Sequence, residues 1–155
     1  MQTKHEIYMG KALMEAEIAF EKDEVPVGAV IVYEDQVIAR AHNQIKTLKD
    51  PTAHAEMIAI TQASTYLKNE RLKDCDVYVT IEPCPMCAGA MVLARIRNLY
   101  YAARDPKSGA AGSVMNILQN NSLNHKVKII PGILKDQSSS FIQEFFRKKR
   151  ANARN

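Results

Sequence analysis

Cysteine is scarce in this chain, three in 155 residues. Two of the three, Cys84 and Cys87, stand too close together to staple distant segments, so a disulfide-bonded secreted fold is excluded and a reducing compartment is expected. Long apolar runs are missing too. The longest, Val27 to Tyr33 and Ala88 to Ala94, fall far short of the ~20 residues that span a bilayer as a helix. The opening residues Met1 to Glu6 hold no apolar signal core, so no export and no membrane attachment are expected, and the expected location is cytoplasmic. Glycine and proline, six each, form no clusters, which excludes a flexible linker or low-complexity tract, and no repeat is visible.

What is present is an ordinary globular composition, 46% apolar and 25% charged. A chain of this length is one domain's worth, expected over residues 1–155, and buries roughly 69% of the surface its unfolded form exposes, enough for a core without staples. The formal charge is +4, and its distribution is uneven. Residues 1–140 sum to zero, so the whole excess lies in the last fifteen, where Arg147, Lys148, Lys149, Arg150 and Arg154 face Glu144 alone. Phe141, Phe145 and Phe146 lie beside them. Cations with interleaved aromatics suit an RNA-facing terminus, since cations meet phosphates and rings stack on unpaired bases. The same run also suits a solvated helix end with cations at its negative pole.

Apolar residues at helical spacing predict a helix from His5 to Phe20, stopped by Pro26. Val27–Tyr33 and Gln36–Ala41 predict a hairpin turning at Glu34-Asp35. Asp50-Pro51-Thr52 offers capping residues before a helix from about Ala53 to Leu67. A strand is expected over Asp76–Ile81 and a helix from Pro85 to about Ala94. Further strands are expected at Asn98–Ala102 and Val127–Ile133, a short helix near Met115–Gln119, and a last helix over Ser138–Lys149. Strands alternating with helices predict an α/β fold with one sheet covered on both faces.

Two segments carry chemistry. His54-Ala55-Glu56 opens one predicted helix and Pro83-Cys84-Pro85-Met86-Cys87 opens the next. Imidazole and thiolate are zinc's preferred donors, and cysteines three apart across a first helical turn converge on one ion. The positive end of the helix favours their thiolates. A Cys-x-x-Cys alone could equally be a redox dithiol. No second cysteine pair and no His-x₃₋₅-His is present, so His54, Cys84 and Cys87 leave one coordination position for water. Glu56, two residues from a ligand and not needed as one, is the candidate proton shuttle. His-x-Glu joined to Pro-Cys-x-x-Cys is the signature of zinc nucleobase deaminases. The remaining histidines, His5, His42 and His125, are expected to be surface or structural rather than ligands, and the isolated Cys75 an ordinary free thiol, since buried cysteine behaves as a small hydrophobe.

The likeness extends over nearly the whole chain. Glu24-Val25-Pro26-Val27-Gly28-Ala29, Ala41-His42-Asn43, His54-Ala55-Glu56, Thr80 through Ala90, Asp105-Pro106-Lys107-Ser108-Gly109-Ala110, Asn124-His125 and Phe145-Phe146 together resemble the bacterial tRNA-specific adenosine deaminases of the TadA type. The resemblance implies a cytidine-deaminase-like three-layer α/β/α sandwich with a mixed sheet of about five strands. It also implies a homodimer, one Zn²⁺ per subunit, and conversion of adenosine to inosine at the wobble position of a tRNA anticodon. On matching positions, His54, Cys84 and Cys87 hold zinc, Glu56 is general acid and base, and Asn43 hydrogen-bonds the target base. Asp105 and Lys107 then lie against the anticodon loop, and Phe145, Phe146 and Arg150 meet neighbouring nucleotides. For the phenylalanine pair, helix-to-core packing is the competing expectation, with one of the two buried. One departure stands out: Glu70 precedes Arg71-Leu72 where the family usually has tryptophan.

Two other functions share parts of the pattern. A metabolic deaminase of a free nucleobase or nucleoside, such as guanine or cytosine, needs the zinc motif but no basic terminus. An RNA-binding module with structural zinc needs a fourth protein ligand.

Overall fold

The first helix is set by its cap. In the computed structural model, which describes residues 1–154, the Thr3 hydroxyl accepts the Glu6 N–H at 3.1 Å and the Glu6 carboxylate accepts the Thr3 N–H at 3.0 Å. That reciprocal pair satisfies two helix-end donors and starts α1 at Lys4, ending at Glu21. The helix stops well short of Pro26, because Asp23 turns left-handed (φ 61°) and the Lys22 N–H bonds back to Ile18 and Ala19. Met9, Ala12, Leu13, Ala16 and Ala19 form its buried face.

The chain then enters a five-stranded sheet built from β1 (Gly28–Tyr33), β2 (Gln36–His42), β3 (Cys75–Ile81), β4 (Asn98–Ala103) and β5 (Lys128–Pro131). The spatial order is β2-β1-β3-β4-β5. β1 is antiparallel to both β2 and β3, whereas β3, β4 and β5 run parallel. The β1–β2 turn at Glu34-Asp35 has positive φ at both residues, 50° and 60°, the backbone hand that matches the twist of a two-residue hairpin.

Helices complete the layers: α2 (Ile45–Leu48), α3 (Ala55–Leu67), α4 (Pro85–Leu93) and α5 (Lys135–Ala153). Successive strand residues face opposite sides. Val30, Val32, Tyr78 and Tyr100 pack with Met9 and Ala12 of α1, and Ile133 and Leu134 at the start of α5 close that side. Ala29, Ile31, Val77, Val79 and Leu99 pack on the other side with Ala55, Ala59, Ala63, Ala88 and Met91 of α3 and α4. The expected α/β/α sandwich with a mixed five-stranded sheet is therefore the observed one.

Three elements differ from expectation. α2, a single turn, had no sequence signal. No helix forms over Met115–Gln119: the Gly112 N–H bonds to Met115 O, the Ile117 N–H reaches back to Ala110 O, and Ala111 bridges Asn116. With its donors used this way the segment doubles back instead of coiling. α5 begins three residues before Ser138 and runs four past Lys149, to Ala153; the buried Ser138 hydroxyl donates to the Thr80 carbonyl and so fastens the helix to β3.

The remaining histidines are structural, as expected. His5 stacks on Tyr100, the Nδ1 of His42 meets Glu15 at 3.1 Å, and the Nε2 of His125 sits 2.7 Å from Ile96 O. Cys75 is buried, and burial pushes its thiol up to about 11.

Close approach of α1 to the sheet depends on Gly28, where an added Cβ would fall on the Ala12 carbonyl oxygen and the Ala16 nitrogen. Both neighbours are backbone and cannot swing away. Gly28→Ala is expected to destabilise the fold by about 3 kcal/mol or more. Gly10→Ala, inside α1 with open space at the Cβ position, is expected to stabilise it by about 0.5–1 kcal/mol. Denaturant midpoints of the two variants, shifted in opposite directions from wild type, check the pair.

Candidate active site

β2, β3 and β4 share one direction, so their C-terminal ends lie on one edge of the sheet. Crevices beyond carboxyl ends of strands are where α/β sheets bind ligands. Here the chain starts two helices side by side. His54 is the N-cap of α3 (φ −76°, ψ 150°) and Cys84 the N-cap of α4 (φ −73°, ψ 172°), with Pro85 in the first helical position. An N-cap side chain normally turns inward to accept a backbone N–H, yet neither of these does so. Both side chains are left for another partner. Cys87 occupies the third helical position of α4, and N-cap and N3 side chains meet across a first turn as they do in a capping box.

The result is a three-donor cluster. His54 Nδ1 lies 3.6 Å from Cys84 Sγ and 3.5 Å from Cys87 Sγ, and all three atoms lie within 4.8 Å of one another. A tetrahedral ion with Zn–S near 2.3 Å and Zn–N near 2.0 Å would hold such a nitrogen and sulfur about 3.5–3.6 Å apart. The residues therefore fit a metal ion, with donors of the type zinc prefers and three of four positions supplied. Among the described residues these are the only grouped donors of this kind.

The same closeness shifts their protons. Hydrogen bonding from Cys87 and then from His54 pulls the Cys84 thiol down to about 4, so Cys84 is the thiolate of the pair. Cys87, which donates to that thiolate inside the core, is pushed up. The hydrogen bond between the His54 imidazole and Cys84 raises His54 as well. A metal ion takes the place of these protons, because both sulfurs must be thiolates and the imidazole neutral to ligate.

Glu56, one residue into α3, is 3% exposed, and burial pushes its carboxyl up to about 7. Two other buried glutamates on this edge behave oppositely. Burial alone would raise Glu82, but the Ser113 hydroxyl and the N–H groups of Asp105, Ser113 and Ala111 outweigh it and hold the carboxyl below the usual value. Glu24 is lowered in the same way by the backbone of Thr47 and Lys46 and by the Thr47 hydroxyl. Of the three, Glu56 is poised to exchange a proton near neutrality.

His54, Glu56 and Cys84 open into a cavity of about 220 Å³ whose other walls include Val25, Val27, Asn43, Ile45, Ile81, Asp105 and Ser108. Asn43 is 6% exposed, and its Oδ1 accepts the Ala55 N–H at 2.8 Å. Its side chain thus caps α3 in place of His54, and its NH₂ group is the end left for a ligand. Val25, Ile81, Asp105 and Ser108 also wall a second, larger hollow of about 440 Å³ that runs to Lys107 and to Ile142 and Phe146 of α5. The two hollows form one groove from the metal cluster to the basic helix.

Of the phenylalanine pair, Phe146 is 43% exposed in that groove. Phe145 is 6% exposed and packs edge-on against Phe20 of α1, as the competing expectation for one of the two had it. The Asp105 carboxylate is engaged within its own turn, accepting the N–H groups of Lys107 and Ser108 and the Ser108 hydroxyl. Arg150 is exposed beside Gln143 and Arg147. Part of the tail's positive charge is used inside the chain, since Arg147 pairs with Glu144 and Lys149 with Asp23, and Lys148 sits over the Phe20 ring. Glu70, standing where tryptophan was expected, is exposed, and Leu72 beside it is fully buried.

Sequence reasoning did not single out Glu24, Glu82 or Ser113. The available signal was a charged residue directly after an apolar strand, immediately before Pro83-Cys84, which is an unusual place to bury a carboxylate unless donors await it.

A MafB19-like deaminase family model matches residues 3–150. The tRNA-specific adenosine deaminase of Aquifex aeolicus is 50% identical over 147 residues, 95% of this chain and 97% of that one. The tRNA-specific adenosine deaminase of Bacillus subtilis is 45% identical over 148 residues, 96% and 92% of the two chains. A solved structure from a study of A-to-I editing by tRNA:A34 deaminases at the wobble position superposes with a TM-score of 0.85 at 45% identity, covering 87% of this chain and 98% of that one. A guanine deaminase from Nitrosomonas europaea shares the fold at a TM-score of 0.78 and 24% identity, over 90% and 83% of the chains. With half of its residues matched along almost its full length in one such enzyme, this chain belongs to the MafB19-like deaminases and, among them, to the tRNA-specific adenosine deaminase family.

Proposed function

We propose that residues 1–155 form a single deaminase domain that hydrolyses adenosine to inosine at the wobble position, 34, of a tRNA anticodon, with one Zn²⁺ per subunit. The observation that carries this reading is the continuity of the groove. Its inner end holds three metal donors and a buried acid, and its outer end reaches an exposed phenylalanine on a basic helix. An unpaired anticodon base can leave its stack at small cost, enter a pocket of this size and leave its neighbours outside on the groove.

His54, Cys84 and Cys87 would hold the ion. When bound, zinc in a three-ligand setting supplies a water acidic enough to attack at neutral pH. Glu56 does the proton work. Its carboxylate takes the proton of the water that adds at C6 of the purine and passes it to N1. Glu56 then carries the remaining hydroxyl proton of the C6 adduct to the exocyclic nitrogen, which departs as ammonia and leaves the C6 carbonyl of inosine. Burial raises this carboxyl, which makes it a better proton acceptor than a solvated carboxylate in that cycle. Asn43 would donate from its NH₂ group to the purine edge, its carbonyl already fixed by Ala55. Val25, Val27, Ile45 and Ile81 exclude water around the ring.

On the rim, Lys107 and Arg150 would meet phosphates and Phe146 would stack on a neighbouring base, while Phe145 holds the helix that presents them and Asp105 shapes the turn below. The cytoplasm and a homodimer complete the proposal. Leu93, Val114 and Met115, exposed at 80%, 51% and 44%, are residues that a second copy of the chain would cover.

Glu56→Ala is expected to keep its full complement of zinc and lose turnover by at least about 10³-fold, within the range for removing a general acid–base. Turnover on a tRNA anticodon stem-loop beside metal analysis checks this, and near-wild-type turnover would contradict the role.

Removing Phe146 and Arg150 together is expected to weaken stem-loop binding at least about tenfold, because a base–aromatic stack alone contributes roughly 1–3 kcal/mol. It should also make the salt dependence shallower by about 0.7 in the log–log slope for the one lost phosphate contact. Binding titrations at several salt concentrations measure both.

Wild-type protein is expected to release ammonia from adenosine within the stem-loop and none from free guanine or cytosine. The reverse outcome would assign it to free-base metabolism.

A further inference from the structure

Glu82 ends the path of β3, two residues before Cys84, and is 1% exposed. Its carboxylate accepts four hydrogen bonds, all from one surface loop. Oε1 takes the Asp105 N–H at 3.1 Å and the Ser113 hydroxyl. Oε2 takes the N–H groups of Ala111 and Ser113, both at 3.0 Å. Gly109 of the same loop passes so near that an added Cβ would fall on the carboxylate itself. The Ala110 N–H meanwhile bonds to Pro83 O at 2.8 Å. Residues 105–113 contain neither helix nor strand, and beyond the Asp105 turn, the Ala111–Asn116 bridge and the burial of Ala110 and Ala111 the loop takes its shape from this buried anion.

That loop lines both hollows of the groove. Asp105 and Ser108 face both of them, and Lys107 faces the outer one. We infer that Glu82 is a positioning residue of the substrate groove: by gathering the 105–113 loop it fixes where Asp105, Lys107 and Ser108 meet the nucleotides flanking the target base. The inference rests on the tRNA reading of the groove given above. Glu82 itself does no chemistry, since all four of its acceptor positions are occupied by the loop. Charge-assisted bonds of this kind are stronger than neutral ones, and a nine-residue coil released from them would sample many backbone states.

Glutamine keeps the shape but replaces one acceptor oxygen with an NH₂ group that cannot accept, so two of the four donors lose their partner. In the full-length, zinc-loaded protein, Glu82→Gln is expected to raise KM for an anticodon stem-loop about tenfold while kcat changes by less than about threefold, the pattern of lost binding rather than lost chemistry. Amide hydrogen exchange is expected to quicken over residues 105–113 while the sheet stays protected. Ser113→Ala, which removes one donor and lies away from the metal cluster, should raise KM by a smaller factor in the same direction.

An unchanged KM per zinc-loaded Glu82→Gln enzyme, with activity falling only as the folded or metal-loaded fraction falls, would overturn the inference. If Glu82→Gln does not fold, an unchanged KM and unchanged loop exchange in Ser113→Ala would do so. Wild-type protein inactive on the stem-loop would instead overturn the tRNA reading on which the inference stands, and the two failures are distinguished by that control.

Discussion

Everything at this site depends on two helices that begin at one point and whose N-cap side chains do not cap. His54 and Cys84 hold the extended backbone of ordinary N-cap residues, so the local fold needs no distortion to place an imidazole within 3.6 Å of a sulfur. Cys87 arrives by helical periodicity alone. The helix ends are relieved by other means: Asn43 caps the Ala55 N–H, and Pro85 has no N–H to satisfy. A helix start offers partial positive charge, which favours the thiolate character of Cys84 before any ion is present.

Around that cluster, three buried glutamates show how the fold separates structural from chemical acids. Glu24 and Glu82 each receive several backbone and hydroxyl donors, and those donors keep them ionised despite burial. Each thereby fastens one wall of the pocket, Glu24 the α2 turn that carries Ile45 and Glu82 the loop that carries Asp105. Glu56 has no such set, and burial dominates it. The difference between a tether and a proton carrier is thus the number of donors that the surrounding loops supply, not the residue type.

Much of this was legible in the chain because it is local. The hairpin at Glu34-Asp35, the helix opened by Pro85 and the metal donors follow from periodicity, turn chemistry and spacing within a few residues. The α2 turn was not legible, because it is held by Glu24 from twenty-two residues away. Nor was the loop over Met115–Gln119, whose helix-like composition is overridden by backbone bonds to Gly109 and Ala110. The tail illustrates the same limit. Its five cations look uniformly available in the sequence, but Arg147 and Lys149 are drawn to Glu144 and Asp23, and only contacts brought together by folding reveal which ones remain outward. Phe145 and Phe146, adjacent and identical in type, are separated by helix geometry into an anchor and an exposed ring.

The claim on which the rest stands is that the protein fills three positions of a zinc ion and leaves the fourth for chemistry. X-ray absorption at the zinc edge of the purified protein tests it most directly. The account predicts two sulfur neighbours near 2.3 Å, one imidazole nitrogen near 2.0 Å and a single additional light atom from solvent. A spectrum with a third sulfur or a second imidazole, or a preparation that takes up no zinc, would contradict it.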